Sequence, residues 1–220
     1  MNKRWEILPI DEKKQILLEK NLHISSSLAE ILTRKNLDEN SAKLFLNPTK
    51  IPYHDPFLLK DMEKACQRLL LALKNKEKIC IYGDYDVDGV SSTALLMAVF
   101  TKLGFNIDYY LPDRHSEGYG LHIESLQKLI PKYDLLITVD CGITALDEVD
   151  YAKDKIDMII TDHHLPREIL PDAFAIINPT QTQCNYPNKN LCGVGVAFKL
   201  CQGLYQSLNK DIHELENYLD

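Results

Sequence analysis

Cysteine pairing is the first thing missing. Cys66, Cys80, Cys141, Cys184, Cys192 and Cys201 form no Cys-x-x-Cys pair, which removes zinc-ribbon and thioredoxin-type sites and leaves reduced, mostly buried thiols. No apolar run reaches the roughly 20 residues that a membrane-spanning helix needs. The opening residues, Met1-Asn2-Lys3-Arg4-Trp5-Glu6, carry charge with no apolar core behind them, unlike a secretory leader. A cytoplasmic protein that engages no membrane is the expectation. Positive charge is also scarce: 25 Lys and Arg stand against 32 Asp and Glu, a formal net charge of −7. That balance argues against a broad basic surface for duplex DNA, while leaving room for a local phosphate site. Internal repeats and low-complexity tracts are absent. The remaining composition is ordinary for a globular chain, and 220 residues suffice for one large or two small cores.

What is present centres on Ile79-Cys80-Ile81-Tyr82-Gly83-Asp84-Tyr85-Asp86-Val87-Asp88-Gly89. A β-branched run meets a glycine, three carboxylates follow at alternate positions, and a second glycine opens an apolar helical pattern. Three like charges this close repel unless a cation sits among them, and carboxylate oxygens suit Mg²⁺, Mn²⁺ or Ca²⁺. A calcium hand is disfavoured, because its loop requires Glu where this chain has Leu95 and a helix where it has a strand. A solvated acidic turn is excluded only by the rest of the chain.

The N-terminal third reads as helical and without assignable chemistry. Residues 1 to about 20 look peripheral, with Trp5, Ile7, Leu8 and Ile10 packing on the body. Short helices are expected near Leu28–Leu32, after three serines, and over Asn36–Phe45, stopped before Pro48. A connector over Pro52–Pro56 leads to a longer helix over Asp61–Lys74. From Lys78 the pattern alternates: strand 79–83, helix 90–103, strand 105–111, helix 123–130, strand 135–139, helix 145–152, strand 158–161, short strand 173–177, helix 193–208. Such alternation predicts an α/β fold, a mostly parallel sheet with helices on both faces, preceded by a helical segment over 1–77 packed on the core. Continuous apolar runs fit strands buried on both sides.

Parallel strands bring their carboxyl ends to one edge, where such sheets bind ligands. Those ends carry Asp84, Asp86 and Asp88, then Asp113-Arg114, then Asp140, then Asp162-His163-His164. One Asp after a strand is an ordinary helix cap, and one His an ordinary surface residue. Acids and histidines at successive strand ends form a metal-site pattern suited to Mn²⁺ or Mg²⁺, and four or more acids suit two ions. Gly193-Val194-Gly195 at a helix start offers backbone N–H groups to an anion, or alternatively permits close helix–sheet packing. Glu117-Gly118-Tyr119-Gly120 is either a substrate loop or a glycine turn.

Asp162-His163-His164, Tyr82–Gly89, Leu111-Pro112-Asp113-Arg114 with Glu117–Gly120, and Val139-Asp140-Cys141-Gly142 together resemble the DHH phosphoesterase family. Asp55–Met62, Phe45–Pro48, Asn178-Pro179 and Leu191–Lys199 extend the resemblance, towards the family's single-strand-specific 5′→3′ DNA exonucleases of repair and recombination. The resemblance implies a DHH domain over 78–220 and a two-metal mechanism. It implies Asp84, Asp86, Asp88, Asp140, His163 and Asp220 as ligands of two Mn²⁺ or Mg²⁺ ions, Asp140 bridging them. His164 would contact the scissile phosphate and Arg114 a neighbouring one, with Gly193 and Gly195 on the substrate side. Some relatives carry His at the position of Tyr82, which here leaves one ion to oxygen ligands. The implied partners are single-stranded DNA and a helicase or single-strand-binding protein, with the enzyme a monomer. Proteins of this type continue past residue 220, so a truncated domain with weak activity of its own is expected. The alternatives are an oligoribonuclease, nucleotide phosphatase or pyrophosphatase of the same family, and a non-catalytic scaffold of a replication complex. Intact acids speak against the scaffold.

Overall fold

The computed structural model describes residue 6, residues 9–47 and residues 52–219. Trp5, Ile7, Leu8, Pro48 and Asp220 lie outside the described residues. The chain forms two compact units, Met1–Tyr53 and His54–Asp220.

The first unit contains α1 (Glu12–Leu22), α2 (Ser26–Arg34) and α3 (Glu39–Leu46). Each starts on a side-chain cap: Asp11, Ser25 and Asp38 accept from the N–H groups of Lys14, Leu28 and Ser41. Leu18, Ala29, Leu32 and Ala42 form its core. Helix α1 begins within the stretch expected to be peripheral, an element the sequence pattern does not indicate.

The second unit holds α4 (Met62–Asn75), β1 (Lys78–Gly83), α5 (Val87–Leu103), β2 (Asn106–Tyr110), α6 (Ile123–Leu129), β3 (Leu135–Val139), α7 (Leu146–Ala152), β4 (Asp157–Thr161), β5 (Ala175–Ile177) and α8 (Gly193–Ser207). Helix α4, expected with the N-terminal segment, is therefore part of this unit. The strands form one five-stranded sheet in the order β2-β1-β3-β4-β5, and every pairing is parallel. Period-two alternation divides the side chains between two cores. Ile79, Ile81, Ile137, Ile159 and Ile177 face α4, α5 and α8, whereas Cys80, Tyr82, Leu136, Ile160 and Ile176 face α6 and α7. Burial of each large aliphatic side chain contributes about 1.5–3 kcal/mol. No helix among the described residues is long and apolar enough to cross a membrane.

The Asp55–Met62 motif has a structural role. Asp55 caps a 3₁₀ turn at Pro56–Leu58 through the N–H of Phe57. Asp61, left-handed at φ 61°, accepts from the N–H of Ile176 at 3.1 Å. Gln181 donates to the carbonyl of Ile176 at 2.6 Å. The β5 edge is thereby closed to further strands. At the amino edge of the sheet, Arg68 of α4 joins Asp157 at 2.6 Å and Glu77 at 2.7 Å.

Candidate metal centre

The acidic turn is compact because glycine allows it. A Cβ on Gly89 would stand 2.5 Å from the carbonyl oxygen of Asp84, so only glycine lets β1 turn directly into α5. Asp86 caps α5, one oxygen accepting from the N–H groups of Asp88 at 2.9 Å and Gly89 at 3.1 Å. This cap starts α5 at Val87, three residues before the expected Val90. Asp84 is buried beneath the turn.

Asp140 follows β3 in the left-handed region, at φ 62°. Its N–H donates to the carbonyl of Thr161 at 3.0 Å, continuing the pairing with β4. Asp tolerates this conformation better than most residues, but it remains strained, as is common at functional sites. A Cβ on Gly193 would lie 2.5 Å from Oδ1 of Asp140. Close packing is thus the role the structure gives Gly193. Its N–H is also taken: Asp88 accepts from Gly193 at 2.6 Å and from Val194 at 2.7 Å, one bond on each carboxylate oxygen. A Cβ on Gly195 would meet Leu191 at an ordinary 3.4 Å.

The two histidines diverge. Nε2 of His163 stands 3.1 Å from Oδ1 of Asp140 and 3.6 Å from Oδ2 of Asp88. Nδ1 of His164 lies 2.7 Å from Oδ1 of Asp162. Asp162 also accepts from the N–H groups of Ile143, His163 and His164. Burial pushes its carboxyl up, but the hydrogen bonds from His164 and Ile143 outweigh burial and hold it below the usual range. An ionised carboxylate only accepts, so Nδ1 of His164 carries the proton and Nε2 remains for another partner. The bond to Asp162 raises the His164 pKa.

Suitable ligand atoms gather in two sets, Asp84 with Asp86 and Asp140, and Asp140 with His163 and His164, each within 4.8 Å. Asp140 belongs to both. Burial first, then the charges of Asp88 and Asp86, push its carboxyl up to about 8. Asp84 is raised by burial, and the charge of Asp86 adds to this. Oδ1 of Asp84 and Oδ1 of Asp140 are buried with no hydrogen-bond partner among the described residues; His163 approaches the second without hydrogen-bond alignment. Buried, unpaired and mutually repelling oxygens are costly. A divalent cation within reach of both removes that cost, so the donor set fits Mn²⁺ or Mg²⁺.

Arg114 reaches the centre's rim, its guanidinium 5.5 Å from the ring centroid of Tyr85 in the acidic turn. Tyr82 donates to the carbonyl of Gly120 at 3.0 Å and belongs to the α6–α7 core. The 113–120 loop is well tied: Asp113 accepts from the N–H groups of His115 and Ser116, and Glu117 from Asp113, Tyr110 and Ser125. Two residues escape a sequence reading. Asp162, legible only as part of a motif, orients His164. Tyr119, at the tip of a glycine-flanked turn, sets its hydroxyl 3.3 Å from both ring nitrogens of His164.

Residues 78–220 match the model of the DHH family, N-terminal domain. The chain belongs to the DHH family. Within that family it is 43% identical over 215 residues to the single-stranded-DNA-specific exonuclease RecJ of Bacillus subtilis (strain 168), covering 96% of this chain and 27% of the relative. The chain thus spans about a quarter of the length of that protein. Among solved structures, exonuclease RecJ bound to manganese is 33% identical with a TM-score of 0.66, over 73% of this chain and 41% of the other. RecJ from Thermus thermophilus in complex with Mn²⁺ is 25% identical with a TM-score of 0.73, over 96% and 31%.

Proposed function

We propose that this chain is the catalytic DHH part of a RecJ-like exonuclease that hydrolyses single-stranded DNA from the 5′ end, in the cytoplasm, during repair and recombination. The observation that carries the reading is the pair of buried oxygens on Asp84 and Asp140 that accept no hydrogen bond among the described residues, at the edge where His163 and His164 also arrive. Asp84, Asp86, Asp88, Asp140 and His163 would hold two Mn²⁺ or Mg²⁺ ions with Asp140 between them, Asp88 also anchored to α8. Asp220 is assigned as a further ligand on the family resemblance alone. When bound, the ions supply Lewis-acid stabilisation of the charge that develops on a phosphodiester's oxygens.

The remaining work falls to side chains. His164, its Nδ1 proton held by Asp162, turns Nε2 towards the scissile phosphate. Arg114 holds a neighbouring phosphate from the rim, stacked on Tyr85. Residues 78–220 carry this chemistry. In the intact protein we expect a monomer that receives its strand from a helicase or a single-strand-binding protein.

The test is Mn²⁺-dependent release of mononucleotides from 5′-labelled and 3′-labelled single strands by the intact protein, with pyrophosphate and short RNA as controls. Release from the 5′ end of DNA supports the proposal. Hydrolysis of pyrophosphate or RNA alone replaces the substrate, and Mn²⁺ binding without hydrolysis points to a scaffold.

A further inference from the structure

Both histidines stand on a segment without helix or strand, between the end of β4 at Thr161 and the start of β5 at Ala175. Nearby Leu165 and Ile169 are exposed. A catalytic imidazole needs sub-ångström placement, and an irregular segment does not supply it by itself. Asp162 fixes the ring and the N–H of His164 but not its carbonyl. A second fastening comes from the next strand.

Asn178 follows β5 directly and is fully buried. Its Nδ2 donates to the carbonyl of His164 at 2.9 Å. The amide orientation follows from its other end, where Oδ1 accepts from the N–H of Thr180 at 2.8 Å. A backbone N–H can only donate, so the atom facing it is the oxygen and the NH₂ faces His164. The Thr180 hydroxyl lies 3.1 Å from the same carbonyl and 2.7 Å from Oδ1 of Asn178. It has one proton, to be given to either acceptor. A buried Asn thus bridges a rigid strand end and the residue after His163.

We infer that Asn178, seconded by Thr180, is a positioning residue for His164, holding its carbonyl while Asp162 holds its ring and N–H. This rests on the reading of His164 as a phosphate-contacting group. The closest variant is Asn178→Asp, which keeps the acceptor for the Thr180 N–H and places an oxygen against the His164 carbonyl. In the intact protein, with Mn²⁺ and a 5′-phosphorylated single strand, kcat should fall about 10–100-fold, the range for partners that orient a site residue. KM and calorimetric Mn²⁺ affinity should stay within about twofold, since His163 and the acids are not addressed. Thr180→Val, milder and less buried, should lower kcat in the same sense, and it carries the test if Asn178→Asp does not fold. The deciding measurement is a double-mutant cycle. In a His164→Ala background, Asn178→Asp should cost no further activity, because the group it positions is gone. Full additivity, or wild-type kcat in both single variants, overturns the inference and leaves the proposed function standing. Wild-type activity in His164→Ala alone overturns the reading of His164, and the inference falls with it.

Discussion

Asp140 concentrates the tension of the molecule in one residue. Its backbone is left-handed, its carboxyl is almost wholly buried, and one oxygen has no hydrogen-bond partner among the described residues. Three nearby acids, Asp88, Asp86 and Asp162, raise its pKa further. None of these features benefits a metal-free protein. Asn tolerates the same φ and cannot ionise, so above pH 8, where the Asp140 carboxyl is charged, Asp140→Asn should stabilise the metal-free protein by about 1–3 kcal/mol, the scale of removing an uncompensated buried charge. The same variant should lose the rise in melting temperature that Mn²⁺ gives the wild type. Thermal scans with and without Mn²⁺ check both halves, and a destabilised metal-free variant would refute the account of repulsion. That Asp140 belongs to the centre was legible from its place after an apolar strand. Its left-handed backbone was not, because Asp-Cys-Gly after a strand reads equally as a helix cap. The same limit applies to Asp162 and Asn178, whose roles depend on burial and side-chain rotamer rather than on spacing.

Among the elements, α8 shows how a motif can be placed correctly and understood differently. Gly-Val-Gly at its start suggested either N–H groups for an anion or close helix–sheet packing, and Gly193 shows both. The anion it binds is the chain's own Asp88, a carboxylate at a helix N-terminus, which the helix dipole favours. Gly193→Ala should therefore act through Asp140, whose Oδ1 lies 2.5 Å from the added carbon. Calorimetry should show Mn²⁺ affinity reduced at least tenfold with helical circular dichroism retained, and unchanged affinity would show that the packing can yield. The opposite edge of the sheet has another character. Arg68 ties α4 to Asp157 and Glu77, away from the strand ends that carry the acids. Arg68→Ala should cost about 2–3 kcal/mol, below the usual cost of breaking a buried pair because Asp157 is half-exposed. Denaturant unfolding measures that loss, while Mn²⁺ affinity should hold. The strands were read closely because parallel strands buried on both faces are continuous apolar runs. Helix α1 was missed for a related reason: Ile16 and Leu17 are exposed while Leu18 is buried, so its apolar residues do not fall on one stripe.

At the scale of the whole molecule, the sequence showed the order of strands and helices, and hence the edge where the acids meet. Parallel pairing follows from the helices between β1, β2, β3 and β4, and for β5 from the long irregular crossover over 162–174. The sheet order has β1 between β2 and β3, so the chain builds outwards on one side and then returns to build on the other. That arrangement also decides when the metal centre can exist. Asp84 leaves β1, Asp140 leaves β3 and His163 follows β4, and no hairpin or local helix pair brings any two of them together. Bringing all three residues together requires two non-local strand pairings, β1 with β3 and β3 with β4, which form slowly because loop closure precedes its reward. A cation that needs all three has nothing to grip in the unfolded chain or in an early nucleus. Stopped-flow refolding of the wild type should thus proceed at the same rate with or without Mn²⁺, while unfolding slows in its presence, the kinetic signature of a contact absent from the transition state. Faster refolding in Mn²⁺ would mean that the acids meet early. Otherwise the ion arrives last, and its effect is on how long the finished molecule survives.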